Sequence, residues 1–324
     1  MKRTEPPQTP FRAVISLGTN TTRLLVVRDR HDGDVEIVER GSIGTRLGEG
    51  LRERGELGAE PMRRTLDAIA TFMQTVGDRR ARVWGIATSA MRRASNAEPF
   101  MRQVADLIGS SLAILDGKSE ATASFIGATY GAHSSAQTDR GRVAVIDVGG
   151  GSTECAIGRA GALEDASSLE IGAVRLAERH PELMGSAPRQ QAAEAATRAR
   201  SEARALAAQF AEYRPVREAL AVGGTPLTVG AIAFASDVDS VSGRSLARED
   251  LNAVLEHMLS LDLAARRELR GMLPQRADIL PAGTIILSEV LRALDVRSVT
   301  LQANDLLLGY LLSFTDNNDG IVPR

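Results

Sequence analysis

VIDVGGGSTE, residues 145–154, is an apolar run that meets Asp147, turns through three glycines and a serine, and leaves toward a second apolar run. Upstream, VISLGTNTTR at residues 14–23 repeats the spacing: Gly18 aligns with Gly149, Thr19 with Gly150, Asn20 with Gly151, Thr21 with Ser152, Thr22 with Thr153 and Arg23 with Glu154. Ser16 stands where the second copy has Asp147. A match that extends into the flanking strands predicts two similar lobes with a cleft between them.

The segments around each copy follow one α/β scheme. FRAVISLG and TRLLVVRD read as paired strands, and DVEIVERGS as a third. EPMRRTLDAIATFMQTV has helical spacing, with Leu66, Ile69, Ala70 and Met73 on one face. ARVWGIATSAM reads as a buried strand, a helix starts near Ala97, and LAILDG is another strand. KSEATASFIGATYGA is helical and rich in small residues, which permits close approach. The polar stretch AHSSAQTDRG is the expected lobe boundary. Beyond VIDVGGGSTECAIG come a long helix over about Arg189 to Tyr213, the strand EALAVGG and the helix TPLTVGAIAF, with Pro226 in its first turn. The helices LAREDLNAVLEHMLSL and DILPAGTIILSEVLRAL, the strand VRSVTLQA and the helix DLLLGYLLSF complete the series.

Composition narrows the class. At 324 residues and 43% hydrophobic content, the chain can bury two moderate cores. A net charge of −2 and 3% aromatic content give little for general nucleic-acid attraction or base stacking. The single cysteine, Cys155, excludes an intrachain disulfide and fits a reducing, cytoplasmic setting. MKRTEPPQTP is followed by no apolar leader, and no run is long enough to span a bilayer, so no membrane association is expected. Residues 1–10 and 316–324 read as flexible tails.

Gly149, Gly150 and Gly151 can take positive φ without a Cβ penalty and turn successive N–H groups toward one anion, with Ser152 and Thr153 adding hydroxyls. One such motif alone reads more readily as an ordinary glycine hairpin; two matched copies favour a phosphate gripped from both sides. Neither is a P-loop, because no Gly-Lys-Ser or Gly-Lys-Thr follows. Gly223, Gly224 and Thr225 in AVGGTPLTVGAI form a third anion-friendly turn at a helix start.

The chain resembles the exopolyphosphatases and guanosine pentaphosphate phosphohydrolases, within the superfamily of actin, sugar kinases and chaperone ATPases. The likeness runs from about Ala13 to Leu312 through LGTNTTRLLV, RLGEGL, IATSAMRRASN, DGKSEATASFIGA, VIDVGGGSTE, IGAVRLAERH, AVGGTPLTVGAI and RADILPAGTIIL. It implies two actin-like (ribonuclease H-like) lobes with a central interdomain cleft. The first spans residues 11–130 and is completed by the carboxy-terminal helix 304–315; the second spans 131–303. It also implies hydrolysis of a terminal phosphoanhydride of polyphosphate or guanosine pentaphosphate, with Glu120 as catalytic base. A carboxylate beside phosphates in a partly dry cleft has its pKa raised by like charge and desolvation, which suits that role. Asp147 and Glu154 match ligands of Mg²⁺, or another divalent ion such as Mn²⁺, and Arg92 and Arg23 match phosphate-contacting arginines. Gly18, Thr19 and Asn20 in the first turn and Arg276 in the RAD motif are further phosphate contacts implied by the likeness.

Three polar positions depart from the family pattern. Ser16 and Ser119 stand where acids are usual, and NDLLLGYLL lacks an arginine. Ser16 removes one negative charge from the expected site, so weaker metal binding or slower turnover is expected, and Ser16→Asp should reverse it. These departures keep open a non-catalytic sensor of polyphosphate or guanosine alarmone, and a sugar or acetate kinase is a further alternative. No nucleic-acid partner is expected; a homodimer is compatible with the sequence, which does not fix the oligomeric state.

Overall fold

A computed structural model describes residues 11–30, 33–77, 79–131, 141–159 and 161–313. The chain divides into two compact units between Leu115 and Asp116. The tails and most of the polar stretch expected to separate the lobes lie outside the described residues.

In the first unit, β1 (Phe11–Leu17), β2 (Thr21–Asp29) and β3 (Val35–Gly44) form an antiparallel meander, while β4 (Arg82–Ala87) and β5 (Leu112–Ile114) add in parallel beside β1. The order is β3-β2-β1-β4-β5. Strand alternation turns Ala13, Ile15 and Leu17 to one face, where they join Ile69, Phe72 and Val76 of α2 (Ala59–Gly77) and Phe100, Val104 and Ile108 of α4 (Ala97–Ile108). Short helices α1 (Leu51–Arg54) and α3 (Ser89–Arg93) complete the unit. The buried face of α2 is Thr65, Ala68, Ile69, Phe72 and Val76, not the expected stripe of Leu66, Ile69, Ala70 and Met73; Leu66, Ala70 and Met73 form a half-buried rim. The turn was misjudged because Thr65 reads as polar, yet its hydroxyl is satisfied by the Pro61 carbonyl at 2.9 Å.

The second unit repeats the scheme. β6 (Val143–Val148), β7 (Thr153–Arg159) and β8 (Ala162–Leu169) form the meander, and β9 (Glu218–Val222) and β11 (Ser298–Gln302) add in parallel. The short β10 (Ser245–Ala247) caps the edge, giving β10-β11-β9-β6-β7-β8. Apart from β10 the two orders coincide, as expected of two actin-like, ribonuclease H-like lobes. Leu246 was expected to open a helix; it is fully buried opposite Val299, and α9 (Arg248–Leu259) begins after it. The long helix α7 covers Arg189–Ala207, and a 3-10 segment carries it to Tyr213.

Alternation also sorts the second sheet. Ala144, Ile146, Val148, Cys155 and Ile157 face the larger core, which is built with α6 (Ala173–Arg179), α7, α8 (Gly224–Ala233), α9 and α11 (Leu280–Ala293). Val145, Ala156, Leu220 and Val222 face α5 (Gly117–Thr129), through Ala121, Phe125 and Ala128. Burial of Phe125 contributes about 2–3 kcal/mol, and Gly158 makes room for it: a Cβ there would lie 2.3 Å from the ring. Outside α5 runs α12 (Leu306–Ser313), so close that a Cβ on Gly309 would fall 1.7 Å from the Ala123 carbonyl oxygen. Both helices belong to the second compact unit. The small helix α10 (Leu263–Arg267) completes the elements described, and among the described residues no helix is long and apolar enough to cross a membrane.

Tyr213 donates to Ser167 Oγ at 3.1 Å, and desolvation carries its pKa to about 12. Between pH 10 and 12 the unfolded phenol loses its proton while the folded one keeps it, so stability falls as pH rises through this window. Tyr213→Phe is expected to reduce the alkaline loss of stability, measured by denaturant midpoints; an unchanged slope would clear Tyr213 of it.

Candidate active site

The acids converge because the strands alternate. Asp147 and Glu154 are direct cross-strand partners, two residues on from Val145 and two before Ala156, and so occupy the α5 face. Ser168 is opposite Glu154 on the next strand and donates to its Oε1 at 2.7 Å. Glu120 comes from the first turn of α5, which Asp116 caps by accepting from the Ser119 N–H at 2.7 Å. One turn further along α5, Ser124 donates to Asp147 Oδ2 at 3.2 Å.

Glu120 and Glu154 are 5% and 3% exposed. Desolvation, followed by the charges of Glu120 and Asp147, pushes the Glu154 carboxyl well above the ordinary range, against hydrogen bonds from Ser168 and Ser152. Ser124 and Ser168 escaped the sequence reading. Ser124 could have been found from its i+4 spacing to Glu120; Ser168 lies in ALEDASSL, too polar to signal a strand.

The two glycine turns close alike. Gly149 N–H donates to Ser152 O and Gly18 N–H to Thr21 O, each at 3.0 Å. Gly149, Gly150 and Gly151 do not take the positive φ expected of them; among the site glycines described, that conformation belongs to Gly223. The turn is instead packed against the start of α6: the Gly149 and Gly150 carbonyls accept from the Ala173 and Val174 N–H groups, each at 2.9 Å, and Gly172 must be small, since a Cβ there would strike Gly150 at 2.5 Å. Thr153 Oγ1 donates to the Ile171 carbonyl at 2.7 Å and Thr225 Oγ1 to that of Val148 at 3.0 Å, so both hydroxyl protons hold the framework.

Gly223 has φ 87° and ψ 179°, and a Cβ there would lie 2.7 Å from Asp147 Oδ1. Next to it, a Cβ on Gly224 would lie 2.1 Å from Arg276 Nη2, so the buried guanidinium lies over the start of α8. The second unit thus brings together Glu120, Asp147, Glu154, the turn from Gly149 to Thr153, Gly223 to Thr225, and Arg276. Gly223→Ala is expected to cost about 1–3 kcal/mol from backbone strain and to displace the Asp147 carboxylate. A denaturant midpoint matching the parent would remove that constraint.

In the first unit, Ser16 is buried opposite the half-buried Arg23, in the register that Asp147 and Glu154 occupy in the other. Loop carbonyls are again pinned: Thr19 O accepts from Gly48 N–H at 2.9 Å, and Asn20 O from Thr45 and Arg46. Asn20 Nδ2 and Ser89 Oγ are buried with no hydrogen-bond partner among the described residues, near the ends of β1 and β4, where the Thr88 N–H reaches Leu17 O at 3.2 Å. Ser89 was missed because a small serine before Ala90 and Met91 reads as helix filler. Arg92 donates through Nη1 to Leu115 O at 2.7 Å.

This arrangement suits a water-rich divalent cation. Among the described residues no group of three or more His, Cys, Asp or Glu side chains is placed to hold a metal ion. The cross-strand pair of half-buried Asp147 and buried Glu154 could instead hold a divalent cation together with waters and substrate oxygens. Cys155 takes no part: burial raises its thiol pKa and it faces the other core.

A family model described as the Ppx/GppA phosphatase family matches residues 26–317. Exopolyphosphatase 2 of Mycobacterium tuberculosis is 31% identical, over 93% of this chain and 97% of its own. A guanosine-5'-triphosphate,3'-diphosphate pyrophosphatase of Vibrio atlanticus is 28% identical over 98% of this chain, which spans only 61% of that protein. Among solved structures, an exopolyphosphatase-like protein superposes with a TM-score of 0.82 at 29% identity, covering 93% of this chain and 98% of the other.

Proposed function

The chain belongs to the Ppx/GppA phosphatase family, and from that premise we propose that it hydrolyses the terminal phosphoanhydride of inorganic polyphosphate and releases orthophosphate. The same chemistry on guanosine pentaphosphate yields the tetraphosphate. The observation that carries this reading is the convergence of buried Glu120 and Glu154 with half-buried Asp147 on one face of the second sheet, where desolvation and like charge act on Glu154.

Asp147 and Glu154 would hold a divalent cation, Mg²⁺ or Mn²⁺, which supplies neutralising charge to phosphate oxygens when bound. Glu120 accepts a proton from water as the water oxygen bonds to the terminal phosphorus, and the bridging P–O bond breaks toward the shortened chain. Ser124 and Ser168 fix the two carboxylates through the hydrogen bonds that they donate. Amides of the second turn and Arg276 offer donors to phosphate oxygens. Within the first unit, Thr19, Asn20, Ser89, Arg23 and Arg92 offer donors and charge of the same kind. Retention of all three acids disfavours the sensor reading. A single buried cysteine supports a reducing, cytoplasmic setting.

Purified protein is expected to release orthophosphate from polyphosphate or guanosine pentaphosphate, only with a divalent cation. A panel of short and long polyphosphates alongside guanosine pentaphosphate ranks the substrates. No release from any of them, with Mg²⁺ or Mn²⁺ present, would refute the proposal.

A further inference from the structure

At the other end of the second sheet, where β6 begins and β7 ends, a cavity of about 500 Å³ opens among Arg142, Arg159, Glu164, Pro215 and Arg217. The four steps of β6 from Val143 to Asp147 set it roughly 13 Å from the acids. That volume falls within the usual range of ligand sites.

Its charge is unbalanced and its walls are held. Arg142 Nε donates to Glu164 Oε2 at 2.7 Å and Arg159 Nε to Oε1 at 3.3 Å, so a single carboxylate anchors two guanidiniums by their stems. Desolvation opposes ionisation of Glu164, but these hydrogen bonds and charges hold its pKa below the ordinary value, so the anchor stays ionised. Arg142 Nη1 donates to Tyr213 O at 2.9 Å. The exposed Arg217 forms another wall: its N–H donates to Arg142 O at 2.9 Å, and its side chain lies across Gly141, where a Cβ would meet it at 3.1 Å. Three arginines against one acid leave two positive charges facing the cavity, on a chain whose net charge is −2.

We infer that this cavity is a second anion site, taking an oligophosphate, either a short polyphosphate or the phosphate chain of a nucleotide. Guanidinium forks pair with phosphate oxygens bidentately, and several of them around one space select an anion with several charges. The inference does not depend on the hydrolytic reading, since the site shares no residue with the acids.

Hydrogen exchange of the whole chain, without divalent cation, tests it with inorganic phosphate, tripolyphosphate and GTP as probes. Tripolyphosphate is expected to protect amides at 141–143 and 216–218. Half-protection should need at least about tenfold more tripolyphosphate in Arg159→Ala/Arg217→Ala, while exchange at 149–152 responds as in the parent. The single variant Arg217→Ala gives the same readout if the double variant is unstable. Equal responses to tripolyphosphate and GTP mean that the phosphate chain alone is read; a stronger GTP response means that the nucleotide is the preferred source, and both support the site. No protection in the parent, identical protection in parent and variants, or a response to inorganic phosphate as strong as to tripolyphosphate would overturn it.

Discussion

Glu120→Gln is expected to lower the turnover number for phosphate release by about 10²–10⁴-fold, the contribution of a positioned general base, while the Michaelis constant changes little. The substitution keeps the shape of the side chain and its place in the first turn of α5, where Asp116 still caps the helix. It also removes one of the two like charges acting on Glu154, so the variant should fold at least as well as the parent. The loss therefore reads as chemistry and not as collapse. Turnover within about threefold of the parent would show that another group takes the proton, and the assignment of Glu120 would fall.

The second large effect is structural. Gly309→Ala would drive a methyl group to 1.7 Å from the Ala123 carbonyl, and the facing Gly127 leaves no slack, since a Cβ there would meet Asp305 O at 2.1 Å. Neither obstacle is a flexible side chain, so α12 must lift away from α5. The cost is about 3 kcal/mol, the upper end for overpacking, and α5 then holds Glu120 less firmly, so turnover falls as well. Gly77→Ala is the matched control, because a Cβ at that position meets nothing within 4 Å. Equal denaturant midpoints for the two variants would contradict the close packing described.

The repeated hairpin was legible because its spacing is enforced twice over: apolar alternation fixes the strand faces, and small residues mark a turn where the backbone is crowded. From the same alternation follows the shared face of Asp147 and Glu154. Local pattern could not reveal partners that are distant in sequence. Ser168 meets Glu154 only because a polar strand pairs there. Arg266, in the charged stretch LAARR, is 1% exposed, with Nε on Met258 O and Nη1 on Leu183 O, each at 2.6 Å. A guanidinium buried on backbone carbonyls looks, in sequence, like any solvated arginine. Small residues along KSEATASFIGAT and LLLGYLLS announce close approach without naming the partner.

Because α5 is clamped by α12, the order of synthesis matters. Both carboxylate strands and the helix that bears Glu120 leave the ribosome well before α12 does. A nascent chain therefore carries its acids while the clamp on α5 is still missing.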